Sequence, residues 1–306
     1  MTPLFGPYIR SCCLVLLVLV AASGLAQSPA APSSSTGPVE VPVVFTCPMH
    51  PDVQSSQPGM CPRCRMTLVA KLPDRVEYPL VLRLNPTVAR PGQALELAFT
   101  VKDPNTGRQV KDFQLIHEKL YHIFIVSQDL QHFVHGHGGQ GPDSIFRFGT
   151  SFPRPGMYRV LSDFYPSGGT PQLIAKTILV PGGPITPGTE LKSDLESKNS
   201  GNMNVSLTLQ PEHPVAGMKT MLSFHLEPAD KLELFLGAWA HMLAASDDLV
   251  DMIHDHPVVA DGGPNMQFGL IFPRPRVYRI WVQFQRQGVV NTAVFNVPVS
   301  ELTQPM

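Results

Sequence analysis

Tyr121-His122-Ile123-Phe124-Ile125-Val126-Ser127 returns 119 residues later as Ala240-His241-Met242-Leu243-Ala244-Ala245-Ser246. The match continues on both sides. Downstream, Asp129-Leu130 pairs with Asp248-Leu249, and His135-Gly136-His137 with His254-Asp255-His256. Phe152-Pro153-Arg154-Pro155 then pairs with Phe272-Pro273-Arg274-Pro275, Tyr158-Arg159 with Tyr278-Arg279, and Phe164 with Phe284. Upstream, Leu84-Asn85-Pro86 and Leu209-Gln210-Pro211 each precede a turn containing a glycine, Gly92 or Gly217. The offset between partners moves only from 125 to 119 to 120 residues. Self-similarity of this kind implies a duplicated unit whose copies differ by small loop changes.

The unit reads as β-structure. In the first copy Leu95, Leu97, Phe99 and Val101 alternate with Glu96, Ala98, Thr100 and Lys102; in the second, Leu222, Phe224 and Leu226 alternate with Ser223 and His225. Period two marks strands with one buried face. About seven short strands per copy, separated by Pro/Gly turns such as Asp103-Pro104-Asn105-Thr106-Gly107, predict a β-sandwich. Tyr278, Ile280, Val282 and Phe284 should face the core, with Arg279, Trp281 and Gln283 on the opposite face. The all-β chain therefore divides into sandwiches at 76–181 and 204–299, joined by a linker at 182–203. The stretch from Pro184 to Gly201 is rich in Pro, Gly, Ser and charge, a composition that predicts mobility.

The N-terminus carries one charge, Arg10, ahead of an apolar run from Leu14 to Ala22 and small residues up to Leu25-Ala26-Gln27. That order predicts a secretory signal over 1–26, cleaved after Ala26, and a periplasmic or secreted protein; an uncleaved anchor is the alternative. The run is shorter than the roughly 20 residues of a spanning helix, and no span is expected after signal removal. A flexible segment, 27–43, follows. The formal net charge is −1, and losing Arg10 makes it one unit more negative. Nucleic acid and anionic membranes, which select a basic excess, are not expected partners.

Of the five cysteines, Cys12 and Cys13 fall in the signal; Cys47, Cys61 and Cys64 lie within eighteen residues of one another. An odd, clustered set favours a shared ligand over a disulfide framework. The segment is Phe45-Thr46-Cys47-Pro48-Met49-His50-Pro51, then, with ten residues between His50 and Cys61, Cys61-Pro62-Arg63-Cys64-Arg65-Met66. C-x2-H followed by C-x2-C brings four donors together as two turns, which suits a tetrahedral thiolate/imidazole site. A module over 44–70 with few large apolar groups would scarcely fold without an ion. A purely structural zinc knuckle and a Cys61–Cys64 disulfide in an oxidising compartment are alternative readings.

These motifs, together with Pro58-Gly59-Met60, resemble the heavy-metal-binding domain near the N-termini of copper-efflux membrane fusion proteins and copper-transporting P-type ATPases. The resemblance covers about residues 44 to 70. It implies Cys47, His50, Cys61 and Cys64 as ligands of a heavy-metal ion, Cu(I) or Zn(II), with Met49 and Met66 as soft auxiliaries for Cu(I). Arg65 stands where such segments commonly carry Gly.

Eight of the eleven histidines fall in two places: His117, His122, His132, His135 and His137, then His241, His254 and His256. An H-x-H pair on extended backbone sends both rings to one side. With His122 or His241 from the preceding strand, each copy offers a three-nitrogen site for Cu(II) or Zn(II). His117 and His132 would add donors in the first copy, where the second has Leu236 and Asp251. The competing expectation is structural: imidazoles bonded to backbone that fix the neighbouring loop. The sandwiches also resemble the immunoglobulin-like or cupredoxin-like domains attached to such metal-binding segments in exported bacterial proteins, which implies the fold alone.

Blue copper needs a cysteine thiolate with two histidines, and neither sandwich has a cysteine. Ser127 and Ser246, next to strands bearing histidine, match the chemistry of a capped turn more closely than that of a nucleophile. No nucleotide fingerprint is present, and no enzymatic constellation stands out. The expected function is binding of copper or a similar metal for buffering, delivery or resistance, with a metal-efflux component as partner. Its rival is a scaffold that docks a partner through tandem sandwiches and uses the cysteine module as a zinc staple.

Overall fold

Alternating apolar strands must bury their faces, and in a computed structural model of the protein they do so as stacked antiparallel sheets. Described are residues 44–46, 53–60, 62, 68–71, 76–115, 118–167, 169–183, 190–258 and 261–302. The chain forms two compact units, Met1–Asp74 and Arg75–Met306.

In the first unit β1 (Val44–Thr46) lies between β2 (Gln54–Ser55) and β3 (Val69–Lys71), antiparallel to both. Leu68 is buried against Phe45 and Val53. Its amide donates to the Gly59 carbonyl at 2.9 Å. So small a cluster is weak by itself. The cleavage site and the anticipated ligands Cys47, Met49, His50, Cys61, Cys64 and Met66 lie outside the described residues.

The second unit holds both sandwiches. The first has an outer sheet in the order β4 (Leu80–Asn85), β5 (Ala94–Val101), β9 (Phe146–Ser151), β8 (Gly139–Gln140). Its inner sheet runs β11 (Gln172–Val180), β10 (Gly156–Phe164), β6 (Tyr121–Ser127), β7 (Phe133–His137). In the second sandwich the outer sheet is β12 (Lys198–Ser200), β13 (Met203–Gln210), β14 (Lys219–Glu227), β18 (Asn265–Ile271). The inner sheet joins β20 (Val289–Pro298), β19 (Val277–Arg286), β16 (His241–Ser246) and β17 (Met252–Asp255), with short β15 (Leu232–Glu233) also on β19. Among the described residues no helix is long and apolar enough to cross a membrane.

The expected alternation holds in the outer strands. Leu95, Leu97, Phe99 and Val101 are buried, as are Leu222, Phe224 and Leu226. Gly92 and Gly217 open the turns into β5 and β14 at φ +70° and +79°, a region that glycine enters without a Cβ clash.

The inner strands depart from alternation. All seven residues of β6 and all six of β16 are buried. Tyr121, Ile123 and Ile125 pack into the first core, and Met242 and Ala244 into the second. The other faces meet each other: Phe124, Val126, Leu130 and Leu161 of the first sandwich form one cluster with Leu243, Ala245, Leu249 and Trp281 of the second. Phe133 and Trp281 stack at 4.9 Å with planes 8° apart. Tyr278, Ile280, Val282 and Phe284 face their core as expected. The opposite face of β19 is itself buried at Trp281 and Gln283, because a second sheet covers it.

The linker is shorter than the sequence suggested. Leu191 is buried in the cluster between the sandwiches, Asp194 bridges to Asn296, and β12 pairs with β13, so most of 190–203 belongs to the second sandwich. Leu191 supplies an apolar anchor that the polar composition around it obscures.

Candidate metal centre

On β6 and β7, His122 stands opposite His137, and Phe124 opposite His135. Residues two apart share a face of a strand, so His135 and His137 both point toward the second sandwich, alongside His122. Their rings lie 5.0 Å (His122–His137), 4.9 Å (His135–His137) and 5.8 Å (His122–His135) apart between centroids. The same construction on β16 and β17 brings His256 to 4.7 Å from His241 and 4.5 Å from His254, with His241–His254 at 6.1 Å. In each triad one nitrogen from every ring falls within 4.8 Å of the other two.

The triads are neighbours. His135 lies 5.4 Å from His241, and His122 lies 5.7 Å from His254 and 6.1 Å from His241. Six imidazoles thus share one region between the inner sheets. The pairing of like with like in the sequence gave no sign of this meeting, which depends on how the two sandwiches dock.

Partners outside the triads fix several tautomers. His135 Nδ1 donates to Gln283 Oε1 at 2.7 Å, and Gln283 Nε2 is itself turned toward Thr292 Oγ1 at 3.0 Å. His254 Nδ1 donates to Asp163 Oδ2 at 2.5 Å. His241 Nε2 donates to the Phe235 carbonyl at 2.7 Å, leaving Nδ1 to face His256 Nε2 at 3.0 Å. Each of these contacts leaves the other ring nitrogen as the lone-pair end. A backbone, amide or carboxylate partner on the far nitrogen is the usual support of a metal-ligating histidine. The Nε2 atoms of His135, His137 and His254 are buried and have no hydrogen-bond partner. An unsatisfied buried acceptor costs about 1–3 kcal/mol.

Two rings of the first triad are held neutral. Burial, outweighing the Gln283 bond and helped by the neighbouring rings, pushes His135 down to about 2. Burial with His122, Lys119 and His254 nearby brings His137 down to about 4. Neutral imidazole is the ligand form.

His132 is absent from this group. It sits edge-on to Tyr158 at 5.9 Å, beside a turn in which Ser127 Oγ donates to Asp129 Oδ1 and accepts from the His132 amide. The matching Asp251 accepts from Tyr278 and Arg274, so this position secures a loop in both sandwiches. Ser246 and Asp248 repeat the turn chemistry, as the Ser-x-Asp reading anticipated. Arg154 and Arg274, from the two Phe-Pro-Arg-Pro segments, anchor these turns through Asp129 and Asp248. His117 lies outside the described residues. Asp163 and Gln283 are hydrogen-bond partners of the triads that the sequence reading missed. Their signal was available, since they occupy equivalent positions before Phe164 and Phe284 on faces turned from the sandwich cores.

Two matches at 75–181 and 198–301, more than half of the chain, fall to one family model described as a domain of unknown function (DUF8832). The chain belongs to this family. Residues 44–71 match the heavy metal binding domain. A copper-exporting P-type ATPase of Legionella pneumophila is 57% identical over 30 residues, which are 10% of this chain and 4% of that protein. The chain thus spans only a small part of that relative. Among solved structures, the fibronectin(III)-like modules of Clostridium thermocellum CbhA are 9% identical, cover 73% of this chain and 95% of their own, and give a TM-score of 0.21. The titin Ig tandem domains are 9% identical over 70% of this chain and 92% of their own, also at 0.21. Likenesses this slight carry no argument. The match at 44–71 gives this DUF8832 protein a heavy-metal-binding domain ahead of its sandwiches.

Proposed function

We propose that this protein is an exported, non-enzymatic binder of copper or a similar metal ion, serving buffering, delivery or resistance. The heavy-metal-binding domain at 44–71 supports capture of the ion, with Cys47, His50, Cys61 and Cys64 as ligands and Met49 and Met66 as auxiliaries for Cu(I). Its likeness to a segment of a copper-exporting ATPase supports copper as the cargo and a metal-efflux component as the partner. The observation that carries the reading at the sandwiches is the convergence, in each triad, of one ring nitrogen from every histidine within 4.8 Å of the other two. Three imidazoles per triad match the donor set of Zn(II) or Cu(II).

Elemental analysis of protein purified from its own host tests the proposal. Stoichiometric copper or zinc is expected, and Cys61→Ser should lower it. N-terminal sequencing should place the first mature residue at Gln27. Protein that takes up no Cu(I), Ag(I) or Zn(II) would remove the metal reading and leave the scaffold as its replacement.

A further inference from the structure

The two triads occupy equivalent positions, yet their surroundings differ in charge at one equivalent place. Asp163 and Gln283 correspond in the two copies, and each reaches across to the other sandwich: Asp163 to His254, Gln283 to His135. The second triad is thereby backed by a carboxylate and the first by a neutral amide. The carboxylate makes the second triad the better home for a cation and the first the poorer.

Ring spacings of 5.4–6.2 Å across the two triads put ions in both within a few ångströms of each other. Two divalent charges at such range repel strongly in a buried setting. The first ion to bind therefore penalises the second, and the unequal surroundings decide the order.

We propose that the six histidines form one two-ion centre of unequal halves, in which His241, His254 and His256, supported in trans by Asp163, fill before His122, His135 and His137. This deepens the metal-binding reading of the sandwiches and rests on it. Each half depends on the opposite sandwich for the residue that orients one of its ligands, so the centre belongs to the docked pair and to neither sandwich alone. Sequential filling would let the protein hold one divalent ion at low supply and a second only when supply rises.

The test uses the full-length chain carrying Cys47→Ser, Cys61→Ser and Cys64→Ser, which leaves the histidines as its principal donors. Competition titration with Zn(II) should show two equivalents per chain, with affinities at least tenfold apart. Adding Asp163→Asn should weaken the tighter step by about 10–100-fold, the range typical of lost outer-shell support, and leave the weaker step little changed. Gln283→Glu should strengthen the weaker step and narrow the gap, which guards against a trivial folding defect in the first variant. With two equivalents of Cu(II), electron paramagnetic resonance should show spin coupling between the ions. A single equivalent, two equal steps indifferent to both substitutions, or uncoupled Cu(II) spectra would overturn the two-ion centre. No Zn(II) uptake would overturn it as well. Parallel titration of the unsubstituted chain separates that result from failure of the wider metal-binding reading, because the cysteine module would still load.

Discussion

The outer sheets and the inner sheets of this protein are built from similar residues and obey different rules. β5 and β14 place one face in a core and the other toward solvent, and their sequences alternate accordingly. β6 and β16 are buried on both faces, so alternation vanishes and the apolar run is interrupted by a single histidine in each. A polar group enters such a doubly covered strand only with partners to satisfy it. His122 and His241 enter as members of the triads. The difference teaches that a continuous apolar strand in a repeated sandwich marks the docking face between copies, and that a histidine within it points into that junction.

The strongest way to break the contrast is to remove an apolar anchor from the junction. Trp281, 3% exposed and stacked on Phe133, should cost about 3–5 kcal/mol when replaced by Ala. Urea denaturation should show a single transition moving to lower midpoint. Two separate transitions in the unsubstituted protein would mean that the junction does not couple the sandwiches.

Ligation should sharpen the contrast next. Zn(II) at about 100 times its Kd is expected to stabilise the folded protein by about 2.7 kcal/mol. The accompanying rise in Tm should shrink in His256→Ala when the Cys47, Cys61 and Cys64 sites are already replaced by Ser. An undiminished rise would place the stabilising ion elsewhere.

A smaller effect is expected at the turns that end the inner strands. The Arg274 guanidinium beside Asp248 holds its carboxyl well below the usual carboxylate range, with the Ser246 hydroxyl and the Val250 amide adding to it. A carboxylate with a lowered folded-state pKa stabilises fully above the unfolded value of about 3.8 and loses that contribution as pH falls below it. Arg274→Ala should therefore lower the denaturation midpoint at neutral pH and flatten its decline below about pH 4. Arg154→Ala should do less, since Arg154 makes one ion pair, with Asp129, while Arg274 meets both Asp248 and Asp251. Equal shifts in the two variants would contradict this.

The smallest change belongs to the outer sheet. Ser223 lies on the outward face of β14, between buried Leu222 and Phe224, and Ser223→Ala should stay within about 0.5 kcal/mol of the unsubstituted protein. A larger loss in the same denaturation series would show that the outer face is covered too.

Much of the architecture was legible in the chain. The 119-residue return of β6 as β16, the alternation in β5 and β14, and the core face of β19 all follow from local period and self-similarity, because one strand face must meet its own core whatever else surrounds it. The triads were legible as well: H-x-H on a strand next to another histidine-bearing strand leaves few other arrangements. His132 was not separable from them, since only the fold shows it turned to Tyr158 and the Ser127 turn. The linker was misread for a similar reason, one buried Leu191 outweighing a polar neighbourhood.

The sequence by itself determined two like β-units, the residues of each triad and the heavy-metal-binding segment ahead of them, because these depend on periods and spacings within short stretches. The meeting of the two triads, the crossing of Asp163 and Gln283 to opposite sandwiches, and the burial of Trp281 were decided only in three dimensions. Docking two sheets face to face joins residues about 90 to 150 positions apart, and the burial that drives it is proportional to area and indifferent to order along the chain.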